Sequence, residues 1–459
     1  MSRWPVWGPV RWVLLISVLG LILRLAYVLL VVPGAALSGD GVYYHEAANL
    51  MADGLGFTEP YRYIYGGAHE VLFTSDPESA VTTAGAALPV GHIEPTAGHP
   101  PLWVLVLGAF SAVGFTSVAA HQLVGALTGA IGVVASGWAG HEIGNLLGLN
   151  RVGPIAAAIT AGYASFWLND GLIMSESLVV PITAVLLGLA VRISRYPSLR
   201  NVVLLGLVGG LAALTRAELL LALPVLALPI LVNPTASLGR RLRYYAAVGV
   251  VASAVMAPWI VRNLTVFDEP VLLSNGVGIL LAQTNCEATY YGDKQGAWSF
   301  DCGLPQPSGP DNAAIDESVR DSEYRRRGID YLTDNPARLV TQVVPKRIGR
   351  YWGVYAPIDQ LRADILVEGR NFRLSVLGYA QFISVVSLAI LGAREIRRRH
   401  GPMRTLATLP ILGTLVAGLT MGATRYRVPA EVALVLLAAV AISALPKRRT
   451  ATAETPTLS

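Results

Sequence analysis

Charge is scarce in this sequence. Aspartate, glutamate, lysine and arginine make up 14% of 459 residues, while 53% are hydrophobic and the mean hydropathy is +0.52. A soluble globular domain carries nearly twice that share of charge, so an ordinary soluble enzyme is excluded. Several apolar runs approach or exceed the roughly 20 residues that cross a bilayer. Lysine occurs only at Lys294, Lys346 and Lys447, and arginine carries the rest of a net charge of +5. That excess sits in short clusters between apolar runs, where it sets topology, and it is no sign of a nucleic-acid partner. The chain also lacks a nucleotide-sugar fingerprint or other glycine-rich phosphate loop. It shows no internal repeat and no low-complexity tract before the polar tail at 447–459.

What is present is a series of apolar runs punctuated by arginine. The first, 12–32, is too long for the core of a cleaved signal peptide, and Arg3 and Arg11 before it place the N-terminus in the cytoplasm. Further basic clusters lie at Arg151, at Arg192, Arg195 and Arg200, at Arg240, Arg241 and Arg243, at 394–404, and at Lys447, Arg448 and Arg449. If all are cytoplasmic, an even number of crossings separates each pair. Only one of the two runs between 32 and 151 can then cross. The run 100–113 is too short at about 1.5 Å per residue, so it is predicted as an interfacial or re-entrant helix. The run 201–232, interrupted by Arg216 and Glu218, must be a hairpin.

The prediction is an all-α polytopic membrane protein with crossings at 12–32, 117–145, 153–168, 176–193, 201–215, 218–233, 244–262, 374–393, 404–421 and 429–446. These form one transmembrane domain over 1–446 in the plasma membrane, with both termini cytoplasmic. Two long outer loops, 33–116 and 263–373, stand on the other face. In the first, 33–98 holds eight carboxylates against the single Arg62. Surface helices are expected at 324–332 and 335–351 in the second. Cys286 and Cys302, the only cysteines, both fall in that second loop. An oxidising compartment permits a disulfide there, and the even count leaves no thiol over. Two thiolates alone do not close a zinc site.

The residues able to carry chemistry gather on the same outer face. Asp40 stands between glycines in Gly39-Asp40-Gly41-Val42-Tyr43-Tyr44-His45, where a free backbone brings one carboxylate close to a substrate. Such a carboxylate takes the proton of an acceptor hydroxyl, or merely caps the following helix. His99, in His99-Pro100-Pro101, enters the short helix at headgroup depth, where a phosphate would sit, and Trp103 reads as an interfacial aromatic. Asp170 and Glu176 flank a short outer link. Intramembrane carboxylates are usually functional or paired, although Asp170 also fits a surface loop and Glu176 a helix N-terminus. Arg216 and Glu218 break the hairpin, and Arg425-Tyr426-Arg427 caps the last outer turn. Arginine at that depth binds phosphate or pyrophosphate esters bidentately, while a lone one more commonly snorkels to lipid headgroups.

These motifs occur in a telling order. Gly39-Asp40-Gly41-Val42-Tyr43-Tyr44, His99-Pro100-Pro101-Leu102 and Ser175-Glu176-Ser177-Leu178 come first. Leu214-Thr215-Arg216-Ala217-Glu218, Ala257-Pro258-Trp259-Ile260-Val261-Arg262-Asn263 and Arg425-Tyr426-Arg427-Val428-Pro429 follow. Together they resemble the GT-C membrane glycosyltransferases, in particular the superfamily of protein O-mannosyltransferases and the lipid A aminoarabinose transferase. The resemblance implies an inverting hexosyl- or pentosyltransferase. It would move a sugar from a polyprenyl-phosphate carrier to a hydroxyl of a glycan, lipid or protein acceptor on the extracytoplasmic face.

The resemblance further implies Asp40 as general base, with His99 and Arg216 beside the carrier phosphate and Arg425 or Arg427 in support. Asp170 or Glu176 would be a second acid near the acceptor, with Tyr43, Tyr44 and Glu218 as further site candidates. Many relatives carry Asp-Glu or Asp-Asp where this chain has Asp40-Gly41, so no metal and no cofactor are expected. The rival enzyme is a polymerase or ligase of polyprenyl-linked polysaccharide. A transporter would show repeated halves and charged or broken midplane helices, whereas here the ionisable residues collect at one face.

Overall fold

The computed structural model describes residues 7–32, 37, 39–65, 90–303 and 315–446. Arg3, the tail with Lys447, Arg448 and Arg449, and the centre of the first long loop lie outside them. The described elements are helical, apart from one isolated bridge between Thr58 and Pro95. Helix α1 (Trp7–Ala26) continues as a π turn to Val31. It is followed by α2 (Asp40–Leu50), α3 (Leu102–Ser111), α4 (Val118–Leu147), α5 (Val152–Gly162), α6 (Ala164–Asp170), α7 (Glu176–Arg195) and α8 (Leu199–Thr215). A broken segment, Ala217–Leu231, leads to α9 (Leu238–Val266). The second long loop holds α10 (Val277–Thr284), α11 (Glu317–Asp334), α12 (Val344–Tyr351) and α13 (Pro357–Glu368). Then come α14 (Phe372–Arg398), α15 (Met403–Leu419) and α16 (Val428–Ala444).

Among the described residues six helices are long and apolar enough to cross a membrane, and five shorter apolar helices accompany them. A helix that is apolar all round belongs inside a bundle, and α16 buries every residue from Val428 to Ala441. It packs with α7 and with α4, α5 and α14 in one continuous core. By contrast α1, α9 and α14 expose Leu19, Ile22, Val250, Val261 and Ile390, surfaces suited to a bilayer. The expected hairpin is present. Extended backbone at Arg216 (φ −148°, ψ 115°) ends α8, and the chain returns with Leu223 against Gly209.

Two readings of the sequence change. The predicted crossing at 153–168 is split at Tyr163, which is extended between α5 and α6. Gln381 of α14 splints the break, accepting from Ala164 N–H at 2.8 Å and donating to the Gly162 carbonyl at 3.0 Å. Backbone groups freed inside a bilayer need such partners. Trp103 is not an interfacial aromatic: it is fully buried, and its Nε1 donates to the Ile173 carbonyl at 2.9 Å.

Helix α2 packs Tyr43, Tyr44, Ala47 and Ala48 on Trp103, Val104 and Leu107 of α3. A closed ring of hydrogen bonds reinforces that joint. The Asn49 amide must turn its NH2 to the Thr116 carbonyl (3.1 Å), which brings the same group 3.4 Å from His45 Nε2. His45 Nε2 therefore accepts and its Nδ1 carries the proton, donating to His121 Nδ1 at 2.9 Å. His121 Nε2 then donates to Ser111 Oγ at 2.9 Å, and Ser111 to Asn49 Oδ1 at 2.8 Å. Both imidazoles are neutral, each in one tautomer.

Candidate active site

Both long loops meet the ends of α6 and α8 and the beginnings of α7 and α16 at one end of the bundle. The opposite end carries the Glu142–Arg192 pair (2.7 Å) and the contact of Arg399 with the Leu147 carbonyl (3.0 Å).

Asp40 opens α2 at the loop end. The cap position belongs to Gly39, so Asp40 is not the helix cap. Gly39 has φ 51°, and a side chain at Gly41 would meet the Leu172 carbonyl oxygen at 2.5 Å. Both flanking residues are thus held to glycine, one by its conformation and one by close approach. The Asp40 carboxylate lies 2.7 Å from Arg425 Nη1 and 3.8 Å from His99 Nε2. Burial would raise its pKa, but the guanidinium of Arg425, with His99 and Arg216 behind it, holds the carboxyl at about 2. Burial lowers the His99 pKa against the pull of Asp40, and the two arginines add to the lowering. Its ring stands against Tyr43 and Tyr44, at centroid distances of 4.6 and 4.9 Å.

Two cations approach Tyr426, with the guanidinium carbons of Arg216 and Arg425 at 4.8 and 5.2 Å from its ring centre. Arg216 pairs closely with Glu176 and, at 3.5 Å, with Glu218. Arg425 also approaches Glu368 at 3.8 Å, and Glu368 binds Arg370 at 2.5 Å. Burial raises the Glu368 carboxyl to about 7; Asp364 and Glu176 add to this while Arg370 and Arg425 oppose it. Thr424 donates to Asp364 at 2.6 Å, which ties the Arg425 turn to α13.

The structure thus brings together Asp40, His99, Glu176, Arg216, Glu218 and Arg425, with Tyr43 and Tyr44 as their wall. It sets two other candidates apart. Asp170 pairs with Arg24 of α1 at 2.7 Å, both side chains no more than 2% exposed. Arg427 is 3% exposed, bound to Glu431 at 2.5 Å and donating to the Tyr351 carbonyl at 2.8 Å. By comparison, Asp40 is 24% and Arg425 16% exposed.

Glu368, Arg370 and Tyr426 belong to the same cluster without a sequence pattern that marks them. Tyr426 stands between the two arginines of Arg425-Tyr426-Arg427, and Glu368 and Arg370 flank one glycine just before an apolar run. Arg24 was equally visible as a charge within the first apolar run. The link from Asp170 to Glu176 contains Ile173 at φ 57°, a sparsely allowed region for a β-branched residue. Cys286 and Cys302 are joined in a disulfide. No cluster of three metal-binding side chains occurs among the described residues.

No protein-family profile matches this chain, and no curated protein sequence does. Solved structures do resemble it. The archaeal oligosaccharyltransferase AglB from Archaeoglobus fulgidus, in complex with an inhibitory peptide and a dolichol-phosphate, aligns with a TM-score of 0.54 and 14% identity. That alignment covers 96% of this chain and 51% of AglB. The apo form gives 0.54 and 13% over the same shares. ArnT from Cupriavidus metallidurans, bound to undecaprenyl phosphate, aligns at 0.39 and 17%, over 95% of this chain and 78% of ArnT. The fold is therefore of the GT-C type. The chain spans about half the length of AglB.

Proposed function

We propose that this protein is a membrane glycosyltransferase that moves a sugar from a polyprenyl-phosphate carrier to an acceptor hydroxyl, with inversion. The observation that carries the reading is one carboxylate, Asp40, set between Arg425 and His99, with the Arg216 guanidinium against the Tyr426 ring beside them. The attacking hydroxyl gives its proton to Asp40 while its oxygen bonds the anomeric carbon from the side opposite the phosphate. The bond from that carbon to the phosphate oxygen breaks, and its electrons leave with the carrier phosphate. Arg216 and Arg425 offset the charge developing there.

Charge balance supports this order of events. Arg425 is committed to Asp40, which while so paired is a poor base at a pKa of about 2. A phosphate that draws Arg425 toward itself removes that restraint and adds a like charge, so the Asp40 pKa rises. Glu368, already near 7, takes up a proton as the anion arrives. His99, edge-on to Tyr43 and tilted against Tyr44, stands beside the phosphate, and Glu176 keeps Arg216 in place. Asp170 and Arg427 take no part.

The acceptor is a glycan, lipid or protein hydroxyl, and the site faces the extracytoplasmic side of the plasma membrane. In support, Arg192 and Arg399 lie at the end of the bundle opposite the site, as positive charge on the cytoplasmic side requires. AglB was captured with a dolichol-phosphate and a peptide, ligands of the class proposed here. The test incubates purified protein with a panel of polyprenyl-phosphate sugars and follows release of the lipid phosphate. Release that depends on acceptor and disappears in Arg216→Ala is expected; intact donor throughout the panel overturns the reading.

A further inference from the structure

The backbone turn that presents His99 is tied down group by group, and the ties come from distant parts of the chain. Thr96 N–H donates to the Phe57 carbonyl at 2.9 Å, and the Thr96 carbonyl accepts from Arg262 of α9 at 2.9 Å. Gly98 N–H donates to Thr96 Oγ1 at 3.0 Å, and that hydroxyl pairs with Tyr43 at 3.1 Å. Between them, Ala97 N–H lies 3.3 Å from both carboxylate oxygens of Glu317, and Glu317 Oε1 also accepts from Asn275 Nδ2 at 3.1 Å. The Ala97 carbonyl in turn accepts from Asn275 N–H at 2.7 Å.

Glu317 is the first residue of α11, but the capping of that helix is done by Asp316, whose side chain accepts from Ser318 N–H. The Glu317 carboxylate is therefore free to reach across to the first long loop. One turn on, Asp321 accepts from Gly276 and Gly278 N–H at 2.9 and 2.7 Å, which fixes Asn275 from the same helix.

We propose that Glu317 is a positioning residue: its carboxylate clasps the turn at 96–98 and so fixes His99 beside Asp40. The consequence for catalysis rests on the transferase reading above; the positioning itself does not. Arg320 from α11, Glu59 and Glu94 from the first loop, Tyr43 from α2 and Arg262 from α9 surround the carboxylate electrostatically. Burial raises Glu317 to about 7, against the pull of Thr96, Arg320 and Asn275. The clasp is therefore fully charged above neutrality and weakens as pH falls through that value.

The experiment uses full-length protein and the variants Glu317→Ala, Glu317→Gln and, as control, Glu323→Gln. Glu323 pairs with Arg326 at 2.8 Å on the outer side of the same helix. Diethyl pyrocarbonate modification of His99 is followed by peptide mass, with exposed His400 as internal reference. His99 should react about threefold faster or more in Glu317→Ala, because the turn opens locally, while His400 and the control stay unchanged. Turnover should fall about tenfold, the scale expected for small misplacement of a group at the reacting centre, with donor KM little altered. The loss of wild-type turnover below neutral pH should vanish in Glu317→Gln.

If Glu317→Ala does not fold, the isosteric Glu317→Gln decides by the same two readouts. Unchanged His99 reactivity in folded variants overturns the proposal. A clear rise in His99 reactivity in a protein that transfers no sugar from any donor upholds the positioning and sinks the transferase reading instead.

Discussion

At the scale of single residues the site divides into groups that can meet a substrate and groups committed to the bundle. Asp40→Asn keeps size and polarity but cannot take a proton, so turnover should fall by about a hundredfold, while binding of the lipid phosphate persists. Full activity in that variant would remove Asp40 from the mechanism. Glu368 makes a pH prediction. A carboxyl raised to about 7 is neutral below that pH and charged above it, so donor KM should rise as pH passes upward through neutrality. In Glu368→Gln that rise should be absent. Asp170→Ala should act on stability, because Arg24 would remain buried without its counter-charge, at a cost of about 3–5 kcal/mol. A thermal melt checks this.

The sequence distinguished some of these groups and not others. Asp40 was legible because two glycines announce a close approach of the backbone. Asp170 and Glu176 were not separable, since they stand six residues apart in one acidic link. What divides them is the facing partner, Arg24 on α1 for one and Arg216 at the end of α8 for the other, and neither partner is near in sequence.

At the scale of elements, the ring of Asn49, His45, His121 and Ser111 joins the Asp40 helix to α3 and α4. The ring exists only with both imidazoles neutral, and burial lowers the pKa of His45. The unfolded chain therefore binds more protons than the folded one, so the ring's stabilisation is complete above the ordinary histidine value of about 6.5 and is lost below it. The melting temperature should drop from pH 8 to pH 5, with Glu46, 3.9 Å from His45 Nε2, partly offsetting the new charge. A His121→Gln protein should start lower and depend less on pH; an equal slope in both proteins would rule the ring out as its source. The short helix at 102–111 was readable from its paired prolines and its length. The break at Tyr163 was not, because the group that satisfies it is Gln381 on a helix some two hundred residues later. Trp103 misled for a related reason: tryptophan at a polar boundary is usually interfacial, but here Ile173 offers a buried carbonyl.

At the scale of the molecule, the basic clusters and the site occupy opposite ends. A reporter fused after Arg195 or Arg243 should read cytoplasmic, and one near Gly296 should read extracytoplasmic. The reverse result would place the site on the wrong side for the proposed donor. Helix α9 is one of those that join the two ends. In α9, Arg262 stands nineteen positions after Arg243, about 28 Å along the helix, close to the roughly 30 Å of a bilayer's hydrocarbon core. Arg262 thus comes to rest at the interface, and its guanidinium holds the Thr96 carbonyl and, at 3.3 Å, that of Phe57. The histidine loop is hung from a strut whose length is the thickness of the membrane. A thinner bilayer must tilt that strut or thin less than its lipids prefer, and either response moves the point from which His99 is suspended. In nanodiscs of graded acyl-chain length, turnover should pass through a maximum at the matching thickness, while a soluble anion's access to the site stays the same.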